Sequence, residues 1–209
     1  MFVSLAMTRQ VETVAPDDTL RFCWEFMQER GFEAVPVRDA RTRALVGIVT
    51  ATDIAGAALE KTDKVDEVTV RDIMSCEMTT ISEDEIIEEA ARIMYGNDYT
   101  ALPVTNSKGA LTGIVTEADL GRMLIRMMGF TEPGTRITLT VPDRVGMLAD
   151  IADLVKSCGV SLASIATLTA EDSAVGNVML RLKTQKPRPV VEKLREAGYR
   201  ILHVSQEWE

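Results

Sequence analysis

The chain has 209 residues, 46% of them apolar and 26% charged, which is ordinary globular usage and excludes both wholesale disorder and a large multidomain enzyme. Its 32 acidic and 23 basic side chains give a net charge of −9, which argues against nucleic acid or an anionic membrane as a partner. Three scattered cysteines and one histidine predict no metal site. Without a signal-like start or an apolar run of about 18 residues, the sequence predicts a cytoplasmic protein with no membrane insertion.

The first 130 residues contain an internal repeat, in which residues 7–53 align with residues 74–119. Apolar residues at positions i, i+3, i+4 and i+7 predict one amphipathic helix in each copy. The predicted buried stripes are Leu20, Cys23, Trp24 and Met27 in the first copy, and Ile87, Ala90, Ala91 and Met94 in the second. Asp17 or Asp18 is expected to cap the first helix, and a capping box of Ser82 and Glu85 to open the second.

Two short strands follow each helix. The sequence AVPV at 34–37 corresponds to ALPV at 101–104, and LVGIVT ending at Thr50 corresponds to LTGIVT ending at Thr116. Each repeat is therefore predicted as βαββα. A unit of about 60 residues is marginally stable alone, so the two repeats are expected to pack as a pseudo-symmetric pair. The charged stretch from Glu60 to Val70 is predicted to link them.

The remainder of the chain has a different pattern, which predicts strands at 135–141, 161–170, 174–182 and 201–204 and helices at 146–158 and 189–197. This order, βαββαβ, is that of a ferredoxin-like unit. The predicted fold class is therefore α+β, with domains at residues 1–62, 63–130 and 131–209.

A motif at each strand-to-helix junction carries the chemistry: GIVTATD at 47–53 and GIVTEAD at 113–119. A Thr-x-x-Asp sequence is a plain helix cap, because each side chain bonds to backbone at the helix start. The same position can also bind a ligand, since a helix N-terminus attracts phosphate and a carboxylate one turn in accepts ribose hydroxyls. Its duplication in equivalent positions favours the second interpretation.

With these motifs, residues 7–129 resemble a tandem pair of cystathionine-β-synthase (CBS) domains, a Bateman module. The resemblance implies two adenosyl sites, in which Thr and Asp of the motif contact phosphate and ribose while the hydrophobic-Pro-Val strand flanks the adenine. Carried to this sequence, the implied site residues are Thr50, Asp53, Thr116 and Asp119, with Val35, Pro36, Leu102 and Pro103 beside the ring.

The adenosyl ligand itself stays open among AMP, ADP, ATP, NADH and S-adenosylmethionine, because these differ in the groups beyond the ribose. Arg122 and Arg9 are candidates to meet a phosphate, or are solvated surface charges. The ligand is expected to act as an effector and not as a catalytic cofactor.

The third unit resembles the ACT domain, through VPDRVGML at 141–148 and GVSLASI at 159–165. That family implies either an amino acid or other small metabolite bound at the loop before the first helix, or a ligand-free dimerisation module. The residues implied at the loop are Asp143, Gly146, Leu148 and Ser161, where Ser161 stands in place of the Asn of many amino-acid-binding members.

The order CBS, CBS, ACT resembles the AcuB-like proteins associated with acetoin utilisation. It implies a non-enzymatic, homodimeric regulatory protein that senses an adenosyl ligand and acts on an unidentified protein effector in acetoin or acetyl-group metabolism. No catalytic residues are expected, because one histidine and unclustered cysteines do not assemble a base with a nucleophile. The alternative is a ligand-independent dimeric subunit that regulates a separate enzyme or transporter.

Overall fold

The computed structural model describes residues 1–60, 67–131, 133–169 and 175–206, which form two units, Met1–Gly121 and Arg122–Glu209. The first unit holds the two repeats as far as Gly121 and the second holds the ferredoxin-like pattern, so the predicted α+β fold is confirmed. None of the helices in the described ranges is long and apolar enough to cross a membrane.

The first repeat begins with helix α1 and continues through two antiparallel strands into a second helix; the elements are α1 (Leu20–Arg30), β1 (Ala34–Arg38), β2 (Leu45–Thr50) and α2 (Ala51–Glu60). The predicted cap of α1 was wrong. Thr19 is the N-cap, and its hydroxyl accepts a hydrogen bond from the Phe22 N–H at 3.2 Å. The predicted stripe was right for three of its residues but not for Trp24, whose side chain is 41% exposed.

The second repeat has the same order after one additional short strand; its elements are β3 (Ile81–Ser82), α3 (Ile87–Asn97), β4 (Ala101–Thr105), β5 (Leu111–Thr116) and α4 (Glu117–Met127). Strand β3 pairs in parallel with β4, which pairs antiparallel with β5. The predicted capping box was wrong here too. Ser82 ends β3, and α3 starts after Ile86, which makes no side-chain cap.

The segments that precede the first helix of each repeat are exchanged between the repeats. Thr8, before α1, exchanges two backbone hydrogen bonds of 2.9 and 3.0 Å with Ile114 on β5. Ser75, before α3, does the same with Ile48 on β2 at 2.9 and 3.1 Å. Each repeat is therefore completed by chain from outside its own contiguous sequence, which fixes the two repeats together.

The exchanged segments also contribute to the two cores. Val3 is fully buried beside the second repeat, where its N–H donates to the Glu85 carbonyl at 2.8 Å. Val68 and Val70 are buried in the core of the first repeat. The predicted linker therefore ends before Val68, since that residue and Val70 are part of the packed structure; its residues 61–66 lie outside the described part of the chain.

The second unit has the predicted βαββαβ order; its elements are β6 (Thr135–Pro142), α5 (Met147–Ser157), β7 (Leu162–Thr169), β8 (Val175–Leu182), α6 (Arg188–Glu196) and β9 (Arg200–Gln206). The antiparallel sheet has the strand order β7-β8-β6-β9. Alternate residues of β6 and β8, such as Ile137, Leu139 and Leu180, are fully buried in one core with residues of α5 and α6. The expected strand ends Ala170 and Ala174 lie outside the described residues.

Candidate functional site

The Thr-x-x-Asp motif of the first repeat forms a closed set of hydrogen bonds at the start of α2. Oδ2 of Asp53 accepts from the Thr50 N–H at 2.8 Å and from the Thr50 hydroxyl at 2.6 Å. In return, the Asp53 N–H donates to Thr50 Oγ1 at 3.2 Å. The motif is thus a helix cap, and within the described ranges no hydrogen bond reaches the other carboxylate oxygen, Oδ1.

The second repeat reproduces this geometry at the start of α4. Oδ2 of Asp119 accepts from the N–H and hydroxyl of Thr116 at 2.9 and 2.8 Å, and the Asp119 N–H donates to Thr116 Oγ1 at 3.2 Å. The two carboxyl groups differ in exposure, since Asp119 is 95% buried (5% exposed) and Asp53 is half-buried.

A cleft of about 630 Å³ opens beside the first motif. One wall is the end of β2 and the start of α2, including Thr50 and Asp53; a second is the exchanged segment 75–79; a third is the turn from α3 into β4, residues 98–101. Both repeats therefore line the cleft, and a molecule bound there contacts chain from each. This volume suits a small organic ligand.

The residues predicted to flank an adenine ring are divided between this cleft and the interior. Pro103 lines the cleft, together with Ala34 and Ala101 from the neighbouring strand positions. Val35, Pro36 and Leu102 are buried and are not among the residues that line it. Val35 and Pro36 belong to β1 and Leu102 belongs to β4, so all three are part of the hydrophobic-Pro-Val strands themselves.

Sequence reasoning missed two of the walls of the cleft, residues 75–79 and 98–101. The repeat offset contained the signal for the first of them, because it aligns Ser75 with Thr8 in the segment before the first helix of each repeat. Nothing in local periodicity shows that these segments pair with the opposite repeat. The other missed wall begins at Asp98, the C-cap residue of α3, which lies in the left-handed region at φ 55°.

Neither of the two arginines considered as phosphate ligands lines this cleft. Arg9 is exposed, donates to the Ser4 carbonyl at 3.0 Å and does not line the cleft. Arg122 is an exposed residue of the second unit.

A second cavity, of about 280 Å³, lies in the ferredoxin-like unit at the loop between β6 and α5. Its lining includes Asp143 and Gly146 of the loop, Leu148 in the first turn of α5, and Asn177 of β8. Gly146 has φ 84° and is the N-cap of α5. Ser161 is not among the lining residues, and its carbonyl accepts the Lys183 N–H at 2.8 Å.

Within the described ranges, no group of three or more His, Cys, Asp or Glu side chains is placed to hold a metal ion.

Comparison with known families agrees with this architecture. Residues 3–60 and 70–126 each match the CBS domain, and residues 133–205 match the TTHA0829-like ACT domain. Because the CBS matches cover more than half of the chain, the protein belongs to the CBS-domain family. More particularly, it has two CBS domains in tandem followed by an ACT domain, as the sequence predicted.

Its curated relatives share the CBS region. The chain is 35% identical over 112 residues to inosine-5′-monophosphate dehydrogenase of Methanocaldococcus jannaschii and 33% identical over 123 residues to homoserine O-acetyltransferase of Methanosarcina acetivorans. These matches cover 54% and 59% of the chain but only 21% and 22% of the two enzymes. An uncharacterized 17.7 kDa protein of Acidianus ambivalens is 32% identical over 137 residues, which are 65% of the chain and 81% of that protein.

Three solved structures are similar to the tandem pair. A Vibrio cholerae protein assigned to acetoin utilization (AcuB) is 27% identical, with a TM-score of 0.56 over 63% of this chain and 95% of the other. The CBS pair of protein MJ0100, in complex with 5′-methylthioadenosine and S-adenosyl-L-methionine, is 25% identical, with a TM-score of 0.53 over 59% and 95%. CBSX2 in complex with AMP is also 25% identical, with a TM-score of 0.53 over 59% and 96%.

Proposed function

We propose that this protein is a non-enzymatic regulatory sensor whose CBS pair binds an adenosyl effector: AMP, ADP, ATP, NADH or S-adenosylmethionine. The observation that carries the proposal is the cleft of about 630 Å³ beside Thr50 and Asp53. Oδ2 of the carboxylate is held by the helix cap, so the side chain is fixed before a ligand arrives. Oδ1 then accepts a ribose hydroxyl, and Pro103 with the alanines of the strands contacts the base. The adenosyl complexes of MJ0100 and CBSX2 support this assignment.

The second motif gives a further candidate site. Thr116 and Asp119 repeat the three cap hydrogen bonds of the first pair, and we assign them the same role toward a second adenosyl group. We also assign Val35, Pro36 and Leu102 to the sites, as members of the two strands that we propose flank the adenine. Arg122 remains a candidate phosphate ligand.

The remaining parts of the proposal concern assembly and physiology. We assign domains to residues 1–62, 63–130 and 131–209, and expect a cytoplasmic homodimer. In it the ACT domain pairs, or binds a small metabolite at Asp143, Gly146 and Leu148, which line the second cavity, whereas Ser161 does not. The similarity to the Vibrio cholerae protein supports a role in acetoin or acetyl-group metabolism. Ligand binding would change the contacts with a protein effector only if the ligand binds two conformational states of this protein with different affinities.

The test is calorimetric titration of the purified chain and of Asp53→Ala with each adenosyl compound. The chain offers a matched control, because Thr69 and Asp72 form the same capping arrangement, with the N–H and hydroxyl of Thr69 both 2.9 Å from Asp72 Oδ2. Asp72 does not line the cleft. Asp72→Ala therefore removes an equivalent cap without touching the proposed site.

We expect Asp53→Ala to lower the affinity at least tenfold and Asp72→Ala to leave it within about twofold, because removal of a hydrogen bond to a charged group costs roughly 1.5–3 kcal/mol. Equal affinity in all three proteins, each folded by circular dichroism, would remove Asp53 from the site. If no adenosyl compound binds the unmodified protein, the ligand-independent interaction subunit becomes the better assignment.

A further inference from the structure

The cleft beside the first motif is lined by acidic residues. Of its sixteen lining residues, all within the described part of the chain, four are acidic and none is basic; the four are Glu33, Asp53, Glu77 and Asp98. We infer that this cleft selects adenosyl compounds whose 5′ substituent is neutral or cationic, such as a sulfonium, over nucleotides that carry phosphate there. The inference rests on the proposed adenosyl site and specifies its ligand class.

The four acidic residues come from different parts of the fold. Glu33 follows α1, Asp53 is in the first turn of α2, Glu77 is in the exchanged segment and Asp98 follows α3. Charges screened by salt act over about 8 Å at physiological ionic strength, which is comparable to the width of a cleft of this volume. A ligand in the cleft is therefore within range of negative charge contributed by each of its walls.

The N-terminus of α2 would otherwise offset this negative charge, but most of its backbone N–H groups already donate hydrogen bonds within the protein. A helix start attracts phosphate through N–H groups that have no partner within the helix. At the start of α2, the Thr50 N–H donates to Asp53, the Ala51 N–H donates to the Glu33 carbonyl at 2.9 Å, and the Asp53 N–H donates to Thr50. Three of the four N–H groups from 50 to 53 are thus already bonded, and the Asp53 carboxylate lies among them.

The rest of the lining suits an uncharged adenosyl group. Alanine, proline and methionine side chains offer apolar contact, and threonine hydroxyls offer neutral hydrogen-bonding groups; Ala101, Pro103, Met78 and Thr79 are examples. A phosphate placed here would lose its hydration without gaining a cation. A sulfonium or an ammonium group would instead gain attraction from the surrounding carboxylates.

The experiment compares three probes that share the adenosine group and differ in charge at the 5′ position. S-adenosylmethionine is cationic at sulfur, 5′-methylthioadenosine is neutral, and AMP is anionic. Each is titrated calorimetrically into the full chain at low and at high salt. We expect S-adenosylmethionine to bind at least tenfold more tightly than AMP at low salt. Added salt should weaken the binding of S-adenosylmethionine and strengthen that of AMP, because it screens attraction and repulsion alike.

A triple variant, Glu33→Gln, Glu77→Gln and Asp98→Asn, assigns the effect to this cleft. The replacements keep side-chain size, and Asn accepts the left-handed backbone of Asp98. The affinities for S-adenosylmethionine and AMP are divided by that for 5′-methylthioadenosine in the same protein, which cancels a general loss of binding. We expect the preference for the sulfonium over the phosphate to fall at least fivefold.

The outcomes separate this inference from the function on which it rests. AMP binding as tightly as S-adenosylmethionine, AMP binding weakened by salt, or an unchanged preference in the triple variant would each overturn the charge selection and leave the adenosyl site standing. Failure of all three probes, including the neutral one, would overturn the adenosyl site itself and the selection with it.

Discussion

The backbone of Thr8 pairs with that of Ile114, so the first residues of the chain complete the second repeat. Ser75 and Ile48 make the equivalent pair in the first repeat. This exchange creates the cleft, because it brings residues 75–79 against the start of α2. The site therefore depends on the exchange as much as on the Thr-x-x-Asp motif.

Gly113→Ala should destabilise the protein. A Cβ at this position would overlap the Met7 side chain and lie 3.2 Å from the Thr8 carbonyl oxygen. Overpacking of this kind costs about 1–3 kcal/mol. Gly56→Ala is the control, because it has open space around its Cβ position within α2 and should stabilise by about 0.5–1 kcal/mol. Urea unfolding measures both; a Gly113→Ala protein as stable as the Gly56→Ala protein would contradict the close approach.

Val3→Ala and Val70→Ala should each lower the free energy of unfolding by about 2 kcal/mol. Both valines are fully buried, so the smaller alanine side chain loses packing contacts and leaves a cavity. Leu5 serves as the control, because it is in the same turn as Val3 but 60% exposed, and Leu5→Ala should stay within about 0.5 kcal/mol. Chemical denaturation gives the comparison. If Val3→Ala costs no more than Leu5→Ala, the N-terminal turn is not part of the core.

Cys23 should make stability fall at alkaline pH. Burial raises the pKa of its thiol to about 11 from 9.0, and the charge of Asp18 adds to this. Above pH 9 the thiol loses its proton in the unfolded protein but keeps it in the folded protein. The contribution of Cys23 to the free energy of unfolding is therefore fully present below pH 9 and is lost between about pH 9 and 11. The stability advantage of the unmodified protein over Cys23→Ala should therefore shrink by roughly 2 kcal/mol from pH 8 to pH 10.5. A pH-independent difference would show that the thiol titrates normally.

Cys76 should report on occupancy of the cleft. Its side chain is exposed, and its neighbours Ser75 and Glu77 both line the cleft. Alkylation of Cys76 by iodoacetamide, followed by mass spectrometry, should slow at least threefold when the cleft is saturated with an adenosyl ligand. Cys23 is the internal control, because it is buried and should stay unmodified with or without ligand. An unchanged Cys76 rate at demonstrated saturation would place the ligand elsewhere.

Gly146→Ala should destabilise the ACT unit by about 1–2 kcal/mol. The residue has φ 84°, which an L-residue with a Cβ adopts at a cost of this size, although the space around it is open. Gly146→Asn should recover part of the loss, because asparagine tolerates the left-handed region. Thermal unfolding monitored in the full chain tests this, and equal losses for alanine and asparagine would mean that backbone strain is not the cause.

The sequence was sufficient for the parts of the fold that depend on local patterns. Repeated apolar spacing located α1 and α3, and the duplicated GIVT sequences located β2 and β5 with the helices after them. The sequence was insufficient where several neighbouring residues can play the same structural role, such as capping a helix. Thr19 caps α1 in place of the neighbouring aspartates, and Asp18 instead accepts the Ala15 N–H at 2.7 Å. Which of these residues becomes the N-cap depends on the residue at which the helix begins.

The candidate site was predictable to the same extent. The Thr and Asp of each motif are local to one strand-to-helix junction, so their spacing predicted the helix cap. Their proposed ligand role came from the duplication of the motif and from the resemblance to CBS domains. The other walls of the first cleft come from segments distant in sequence, whose pairing is decided by packing between the repeats. Trp24 shows the same limit in the core: it occupies an apolar position in the helical pattern, yet the neighbouring elements leave it exposed.

The exchange of segments also has a consequence for synthesis on the ribosome. Met1, Val3 and Thr8 are made well before their partners Ile87, Glu85 and Ile114, which follow them by 80 residues or more. The first repeat likewise lacks Val68 and Val70 until translation has passed its final helix. Because non-local contacts of this kind close slowly, the segment that contains Val3 stays with apolar surface uncovered until its partners in the second repeat have left the exit tunnel.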